Sequence, residues 1–334
     1  MKLNFFALLL CFVIAVVSST AAASSSADSF APDDNIRLVI YTSHKVEIYQ
    51  PIIREFEQRT GIWVQVTSGG TNDMLRQIAL ESDYAQADLM FGGGVESLDA
   101  YSDYFDELPA DIGEGLDTHA TVSGKWLPFS LLPVVLIYNS KLVTRPPESW
   151  ANLLDSRWSG RIAYASPDIS GSSYTALVTL LLAIPGDDEE ILRLFYQSLE
   201  GKVLESSGYV VDAVSEGDCL VGITLEETAL KGIAAGKEIG IVYPADGTSS
   251  VPDGIAIIKD CAHRENALAF IRFVLGADVQ RRLITSYYRH SVLSALMDDD
   301  TQAQEIQLLD YDIQWASVQK DRILMLWNQM VAGE

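Results

Sequence analysis

Three serines lie within four residues, at Ser170, Ser172 and Ser173, where a predicted strand (residues 161–164) gives way to a predicted helix. At a helix N-terminus, hydroxyl groups and unpaired backbone N–H groups bind anions together with the positive end of the helix dipole. A single serine there would be an ordinary N-cap. Three in four residues favour a neutral cradle for an oxyanion such as a phosphate group.

Small residues also end three strands in the first part of the chain. These predicted strands cover residues 38–41, 62–66 and 88–91, and a small, polar or glycine-rich turn follows each. In a doubly wound sheet such turns meet at one edge, where ligands bind, and glycine lets a ligand oxygen approach backbone N–H groups. Any one turn could be an ordinary strand–helix connection, but their joint occurrence favours a binding edge. The candidate contacts are Ser43, His44, Thr71, Gly93 and Gly94.

Two ionisable candidates each have a second interpretation. His44 could contact a ligand or, as a lone histidine, could cap or solvate the start of its helix. Glu226 follows the predicted strand 220–224 and could accept a hydrogen bond from a hydroxyl or ammonium group. It could equally be a favourable acid in the first helical turn.

The sequence carries no evident catalytic constellation. It lacks Gly-x-Ser-x-Gly, HExxH and P-loop motifs, and Cys219 precedes a predicted strand, with no histidine in an evident pairing position. We therefore expect a binding protein and not an enzyme, with no catalytic residue and no cofactor.

The elements that position these residues predict an α/β fold with two lobes, each a doubly wound sheet. Apolar side chains fall at i, i+3, i+4 and i+7 over residues 49–56 and again over residues 267–274, which predicts two packing helices. The chain would enter the second lobe along Leu131–Tyr138 and return at residues 251–254, which makes two hinge strands. The predicted parts are a signal peptide (1–23), lobe 1 (35–131), lobe 2 (132–252), a return to lobe 1 (253–300) and C-terminal helices bracing the lobes (301–334).

Composition and the N-terminus indicate an exported, soluble protein. Lys2, an apolar run at residues 5–17 and small residues up to Ala23 predict a cleavable signal peptide, so we expect a periplasmic protein that is not membrane-anchored. The formal charge of −23 disfavours binding to nucleic acid or anionic lipid but leaves the ligand open, because a local cleft can differ from the whole surface. Cys219 and Cys261 remain after export; we expect them in different lobes and leave their pairing open.

Five segments together resemble a known family. They are VIYTSHKVEIYQPIIREFEQRTGI, SGGT, ADLMFGGG, PVVLIYNSKLVTRPPESWANLLDSRWSGRIAYASPDISGSSYTAL and VPDGIAIIKDCAHRENALAFIRFVLGADVQ. In this order they are similar to the periplasmic solute-binding proteins of ABC importers, in the branch that binds ferric iron, phosphonates, sugar phosphates and thiamine. The resemblance implies a type II periplasmic binding protein fold and an ABC permease as partner. We expect a monomer that closes on a small anionic solute, such as an organophosphate, phosphonate or sugar phosphate.

The resemblance also implies two alternatives. Ferric-binding relatives carry a histidine near His44 and adjacent tyrosines near the position of Glu226, but this chain has Thr224-Leu225-Glu226 there. The pair Tyr287-Tyr288 comes far later, and we interpret it as a packing or rim element. Ferric iron held by His44 and Glu226, with an anion on the serines, is one alternative; a periplasmic ligand sensor for a membrane receptor is the other.

Overall fold

The computed structural model describes residues 33–116, 123–299 and 306–333; the predicted signal peptide, residues 1–23, lies outside them. The strands are β1 (Arg37–Thr42), β2 (Trp63–Ser68), β3 (Leu89–Gly94), β4 (Leu127–Asn139), β5 (Ile162–Ala165), β6 (Val203–Leu204), β7 (Val221–Leu225), β8 (Ile239–Val242), β9 (Ser250–Ile257) and β10 (His290–Ser291). The α-helices are α1 (Val46–Thr60), α2 (Thr71–Leu80), α3 (Val95–Asp99), α4 (Trp150–Leu153), α5 (Gly171–Ala183), α6 (Asp188–Leu199), α7 (Val210–Ser215), α8 (Glu226–Ala234), α9 (Arg264–Val274), α10 (Ala277–Tyr287) and α11 (Ile313–Ala332).

The strands form one mixed sheet network with the order β2-β1-β3-β9-β4-β7-β5-β6, while β8 and β10 pair with β4 outside this path. Strands β1, β2 and β3 are parallel, and Thr42 at the end of β1 is level with Ser68 in β2 and Phe91 in β3. Their carboxyl ends therefore meet at one edge, as the sequence predicts.

The long strand β4 joins the two lobes. Its first part, through Pro133, pairs with β9, and its second part, from Val134, pairs with β7. The chain returns beside this point, because Val134 N donates to Ser249 O at 2.9 Å and Thr248 Oγ1 donates to Val134 O at 2.6 Å. Two adjacent crossings of this kind allow the lobes to rotate about them. The exact lobe boundaries in the sequence stay a prediction.

Each lobe has its own apolar core on both faces of its strands. The apolar side chains that predicted two packing helices are buried in the core of lobe 1, apart from Tyr49. They are Ile52, Ile53 and Phe56 of α1, and Ala267, Phe270, Ile271 and Val274 of α9. Tyr49 is only half-buried, and Ile48 takes a buried position in the same helix. In lobe 2, α5 is apolar nearly all round and almost entirely buried, so it is a central packing helix.

The predicted pair of C-terminal helices is wrong in the described residues. Residues 306–312 are not helical, because Thr248 pairs with the extended backbone of Gln307 and Leu309. A single 20-residue helix, α11, begins after the N-cap Asp312, whose side chain accepts from Trp315 N at 2.8 Å. It packs on the core of lobe 2 and against α3 of lobe 1.

Cys219 and Cys261 are both free thiols and pack in different lobes. Among the described residues, no helix combines the length and apolar character that a membrane span requires.

Candidate functional site

A cleft of about 350 Å³ lies between the lobes, at the carboxyl ends of β1, β2 and β3. Seven of the nine predicted ligand contacts line it: Ser43, His44, Thr71, Gly93, Gly94, Ser170 and Ser172. They come from four separate segments of the chain, so only the folded sheet brings them together.

The N-termini of α2 and α5 face each other across this cleft. Helix α2 follows Gly70, which has no side-chain cap, and α5 follows Ser170, whose hydroxyl accepts from Ser173 N at 3.3 Å. The hydroxyl of Ser172 lies 3.1 Å from that of Ser170. Two helix dipoles, unpaired N–H groups and hydroxyls therefore converge from both lobes, which is suitable chemistry for an oxyanion.

Glycine is required where the two lobes touch. A Cβ atom on Gly171 of lobe 2 would lie 2.6 Å from Thr71 Oγ1 of lobe 1, and one on Gly93 would lie 2.5 Å from Thr71 Cγ2. Gly93 also has a φ of +94°, a conformation that other residues rarely adopt. These glycines permit a close approach of their backbone to the side chain of Thr71, and their N–H groups carry no neighbouring Cβ that would hinder a bound oxygen.

Two predicted contacts lie outside the cleft lining. Ser173 is buried in α5, and its backbone carbonyl accepts from the hydroxyl of Tyr164 at 2.6 Å. The carboxylate of Glu226 turns away, because it bonds to the hydroxyl of Tyr243 and lies 2.7 Å from His290 Nε2. The first residue of α8 thus packs against the connection between the lobes, while the next residue, Glu227, lines the cleft.

A buried ionic cluster forms the floor of the cleft. Arg289 Nη1 donates to Asp253 Oδ2 at 2.8 Å, and Nη2 lies 3.4 Å from Glu227 Oε2. Glu227 also accepts from Lys231. Burial opposes the charge of Arg289, but the two carboxylates hold its pKa above the ordinary value. The four groups carry two positive and two negative charges, so the floor has no net charge to attract an anion.

The charges of this cluster also set the state of its carboxylates and of His44. Burial would raise the pKa of Glu227, but Arg289 and Lys231 outweigh it and lower that pKa. Burial raises the pKa of Asp253 despite Arg289. Burial, then Arg289 and Lys231, lower the pKa of His44 well below its ordinary value, so its ring is neutral at neutral pH. His44 Nε2 lies 3.4 Å from Asp253 Oδ2, and the ring packs edge-on against Phe91 at 4.4 Å.

Sequence reasoning missed Asp253, Arg289 and Thr175, all of which line the cleft. One feature of the sequence pointed to Asp253: it is a charged residue inside the apolar strand β9, and a buried charge needs a partner. Arg289 follows the tyrosine pair and matches no motif. Tyr287 packs in the core of lobe 1, Tyr288 ends α10 in a left-handed conformation, and neither lines the cleft.

The ferric alternative needs donors that the fold does not bring together. His44 lies in the cleft and Glu226 faces away from it, and the described lining contains no tyrosine. Among the described residues, no group of three or more histidine, cysteine, aspartate or glutamate side chains is arranged to hold a metal ion.

Comparison with known proteins identifies relatives over most of the chain. A profile for the family described as bacterial extracellular solute-binding protein matches residues 38–289. The chain is 24% identical over 306 residues to the "Iron uptake protein A1" of Synechocystis sp., covering 84% of this chain and 82% of that protein. It is 23% identical over 246 residues to the "Putative 2-aminoethylphosphonate-binding periplasmic protein" of Salmonella typhimurium, covering 70% and 71%.

A solved structure shares the fold. The periplasmic binding protein AfuA from Actinobacillus pleuropneumoniae, determined with fructose-6-phosphate bound, superposes with a TM-score of 0.79 at 20% identity. The match covers 89% of this chain and 98% of that one. The architecture is therefore the two-lobed type II fold of periplasmic binding proteins.

Proposed function

Because the chain belongs to the bacterial extracellular solute-binding protein family, we propose that it is the periplasmic substrate-binding component of an ABC importer. It captures a small anionic solute between its lobes and delivers it to the membrane permease. It is exported by its N-terminal signal sequence and acts as a soluble monomer. It catalyses no reaction.

The facing N-termini of α2 and α5 carry this proposal. They offer Thr71, Ser170 and Ser172 hydroxyls with unpaired N–H groups, inside a cleft whose ionic floor has no net charge. An oxyanion gains hydrogen bonds and two helix dipoles there, while Lys45 and the ion-paired Arg289 also line the cleft. The preferred solute class is an organophosphate or phosphonate, such as a sugar phosphate, because its oxygens fit a cradle of donors on several sides.

Closure of the lobes completes the site. Asn72 of lobe 1 donates to the carbonyls of Pro167 and Asp168 in lobe 2 at 3.0 and 2.9 Å, and Arg76 lies 3.4 Å from the Asp168 carboxylate. These contacts lie next to Thr71 and Ser170, so the lobes meet at the oxyanion cradle. A ligand that touches both sides binds the closed form better than the open one, which is the condition for ligand-driven closure.

Native mass spectrometry of gently purified protein, with elemental analysis for phosphorus and iron, tests the ligand class. We expect a phosphorus-bearing adduct, or calorimetric binding of inorganic phosphate, 2-aminoethylphosphonate or fructose 6-phosphate. Iron at one atom per chain, without phosphate binding, would contradict the proposal. Stimulation of the cognate importer's ATPase by the loaded protein would distinguish a transport role from that of a sensor.

A further inference from the structure

A second polar cluster lies directly behind the oxyanion cradle, where α3 of lobe 1 meets α5 and α11 of lobe 2. Glu96 of α3 is 0% exposed, and its Oε1 lies 2.5 Å from Thr175 Oγ1 of α5. The neighbouring Ser97 contacts Lys320 of α11, with Nζ donating to Oγ at 2.6 Å. Two adjacent residues of lobe 1 therefore hold two different helices of lobe 2.

This cluster is continuous with the cleft. Thr175 lines the cleft, and so does Gly94, at which an added Cβ would lie 2.5 Å from the Glu96 carboxyl group. Glu96 itself does not line the cleft. It can influence a bound anion only through Thr175 and Gly94, and it can contact Thr175 only while the lobes are closed.

The hydrogen bonds around Thr175 require one proton more than its hydroxyl has. Thr175 Oγ1 lies 3.1 Å from the carbonyl of Gly171, four residues earlier in α5, as well as 2.5 Å from Glu96 Oε1. One hydroxyl proton cannot be donated to both. Both contacts are satisfied when Glu96 is protonated and donates to Thr175 Oγ1, while Thr175 donates to Gly171.

The surroundings of Glu96 agree with a neutral carboxyl group. Burial raises its pKa, against the opposing effects of Thr175 and Lys320. Lys320 is the cation that acts on Glu96, but it donates to Ser97, and in the described residues Glu96 Oε2 is buried without a hydrogen-bond partner. The phenols of Tyr174 and Tyr311 also face Glu96, while Asp321, Asp168 and Arg76 act on the charge of Lys320. An ionised Glu96 would thus be a fully buried charge without an ion-pair partner, which is unfavourable.

We propose that protonated Glu96 is a positioning residue that fixes Thr175 in the closed cleft, so that closing the lobes takes up a proton. The proposal rests on the proposed closure around an anion. Opening the lobes returns Glu96 to water and to the ordinary pKa of a carboxyl group. The closed form therefore binds the proton more tightly than the open form. The free-energy advantage that the proton gives the closed form is complete at acidic pH and is lost as the pH rises through the raised pKa of Glu96.

The test compares wild type with Glu96→Gln, whose side-chain amide can donate to Thr175 at every pH. Affinity for inorganic phosphate is measured by calorimetry at pH 5.0 and 7.0, and the radius of gyration of the ligand-free protein by small-angle scattering at the same values. Lys320 stays mostly charged in this range, because burial lowers its pKa only to about 8. Titration of phosphate itself affects both proteins equally. Glu190→Gln, an exposed carboxylate on α6, is the matched control.

We expect a small difference in affinity at pH 5.0 and a larger advantage of Glu96→Gln at pH 7.0, up to about tenfold for each unit of pKa shift. Wild type and the control Glu190→Gln should both expand as the pH rises, and Glu96→Gln should not. The proposal is overturned if Glu96→Gln and wild type differ by the same factor at both pH values, or not at all. If wild type expands with pH but binds no phosphate, the closure device stands and the proposed anion function fails instead.

Discussion

Replacing Gly171 by alanine should block closure without harming the fold. Gly171 is the first residue of α5, and it has no left-handed φ, so alanine fits the backbone and is itself a better helix former. Its Cβ, however, would lie 2.6 Å from Thr71 Oγ1 and 2.9 Å from Thr71 Cβ, on the opposite lobe. Ordinary contacts at such atoms begin near 3.4 Å, so the lobes must separate locally by several tenths of an ångström.

The magnitude follows from this overlap. Forced overpacking of one methyl group at a tight contact costs about 1–3 kcal/mol. Because the overlap exists only in the closed form, the whole penalty appears as weaker binding, by about 5- to 150-fold in Kd. At pH 7 we expect the ligand-free protein to be open and not to make this contact, so its melting temperature should stay unchanged or rise slightly.

The assay is calorimetric titration with the phosphorus compound that wild type binds best, together with thermal unfolding of the ligand-free protein. Gly113→Ala is the matched control, since its Cβ would meet Leu116 at an ordinary 3.4 Å and Gly113 does not line the cleft. Wild-type affinity in Gly171→Ala would refute the reasoning that the lobes close at this contact. A large fall in the melting temperature would show that the effect is on folding and not on closure.

Three further predictions use the same structure. Ser172→Ala should weaken anion binding by about 10- to 150-fold, because it loses one charge-assisted hydrogen bond. Ser173 lies outside the cleft lining, so Ser173→Ala should bind the anion as wild type does. Equal effects of the two substitutions in calorimetry would contradict the proposed oxyanion cradle. Arg289→Met should lower the free energy of unfolding by about 3–5 kcal/mol, because it leaves buried Asp253 without its cation and Glu227 with Lys231 alone. Arg282→Met, which removes a surface ion pair, should cost below about 1 kcal/mol, and similar denaturation midpoints for the two variants would contradict this difference. Both cysteines of the mature chain should resist alkylation at pH 8 and react only in denaturant, because burial raises their pKa values, that of Cys261 to about 12. Labelling of three thiols instead of two would show that the signal peptide, which contains Cys11, is retained.

The local pattern of the chain was sufficient for the fold class and for the edge of the sheet that lines the cleft. Apolar periodicity over residues 267–274 and β-branched runs ending in glycine depend only on neighbours in sequence. Helix α9 forms as that pattern predicts, whereas the predicted glycine turn is part of β3, which runs on through Gly94 into α3. The serine cluster at α5 followed from the same local chemistry, because an N-cap is defined within one helical turn.

The orientation of Glu226 and the partner of Arg289 could not be read in this way. Both depend on residues more than ten positions away: Glu226 turns to Tyr243 and His290, and Arg289 to Asp253 and Glu227. A one-residue shift along α8 rotates a side chain by about 100°, which decides between the cleft and the lobe connection. The predicted C-terminal pair was wrong for the same reason, since a distant partner took the backbone of residues 307–309.

The sequence by itself therefore determined that this is a two-lobed α/β protein with glycine- and serine-rich turns at one edge, because strand, helix and cap signals act over a few residues. Only the tertiary structure decided which of those turns face each other, which charges cancel on the cleft floor, and that Glu96 meets Thr175 across the lobes. These contacts join residues far apart in the chain, and their geometry is fixed by how the two sheets pack around β4.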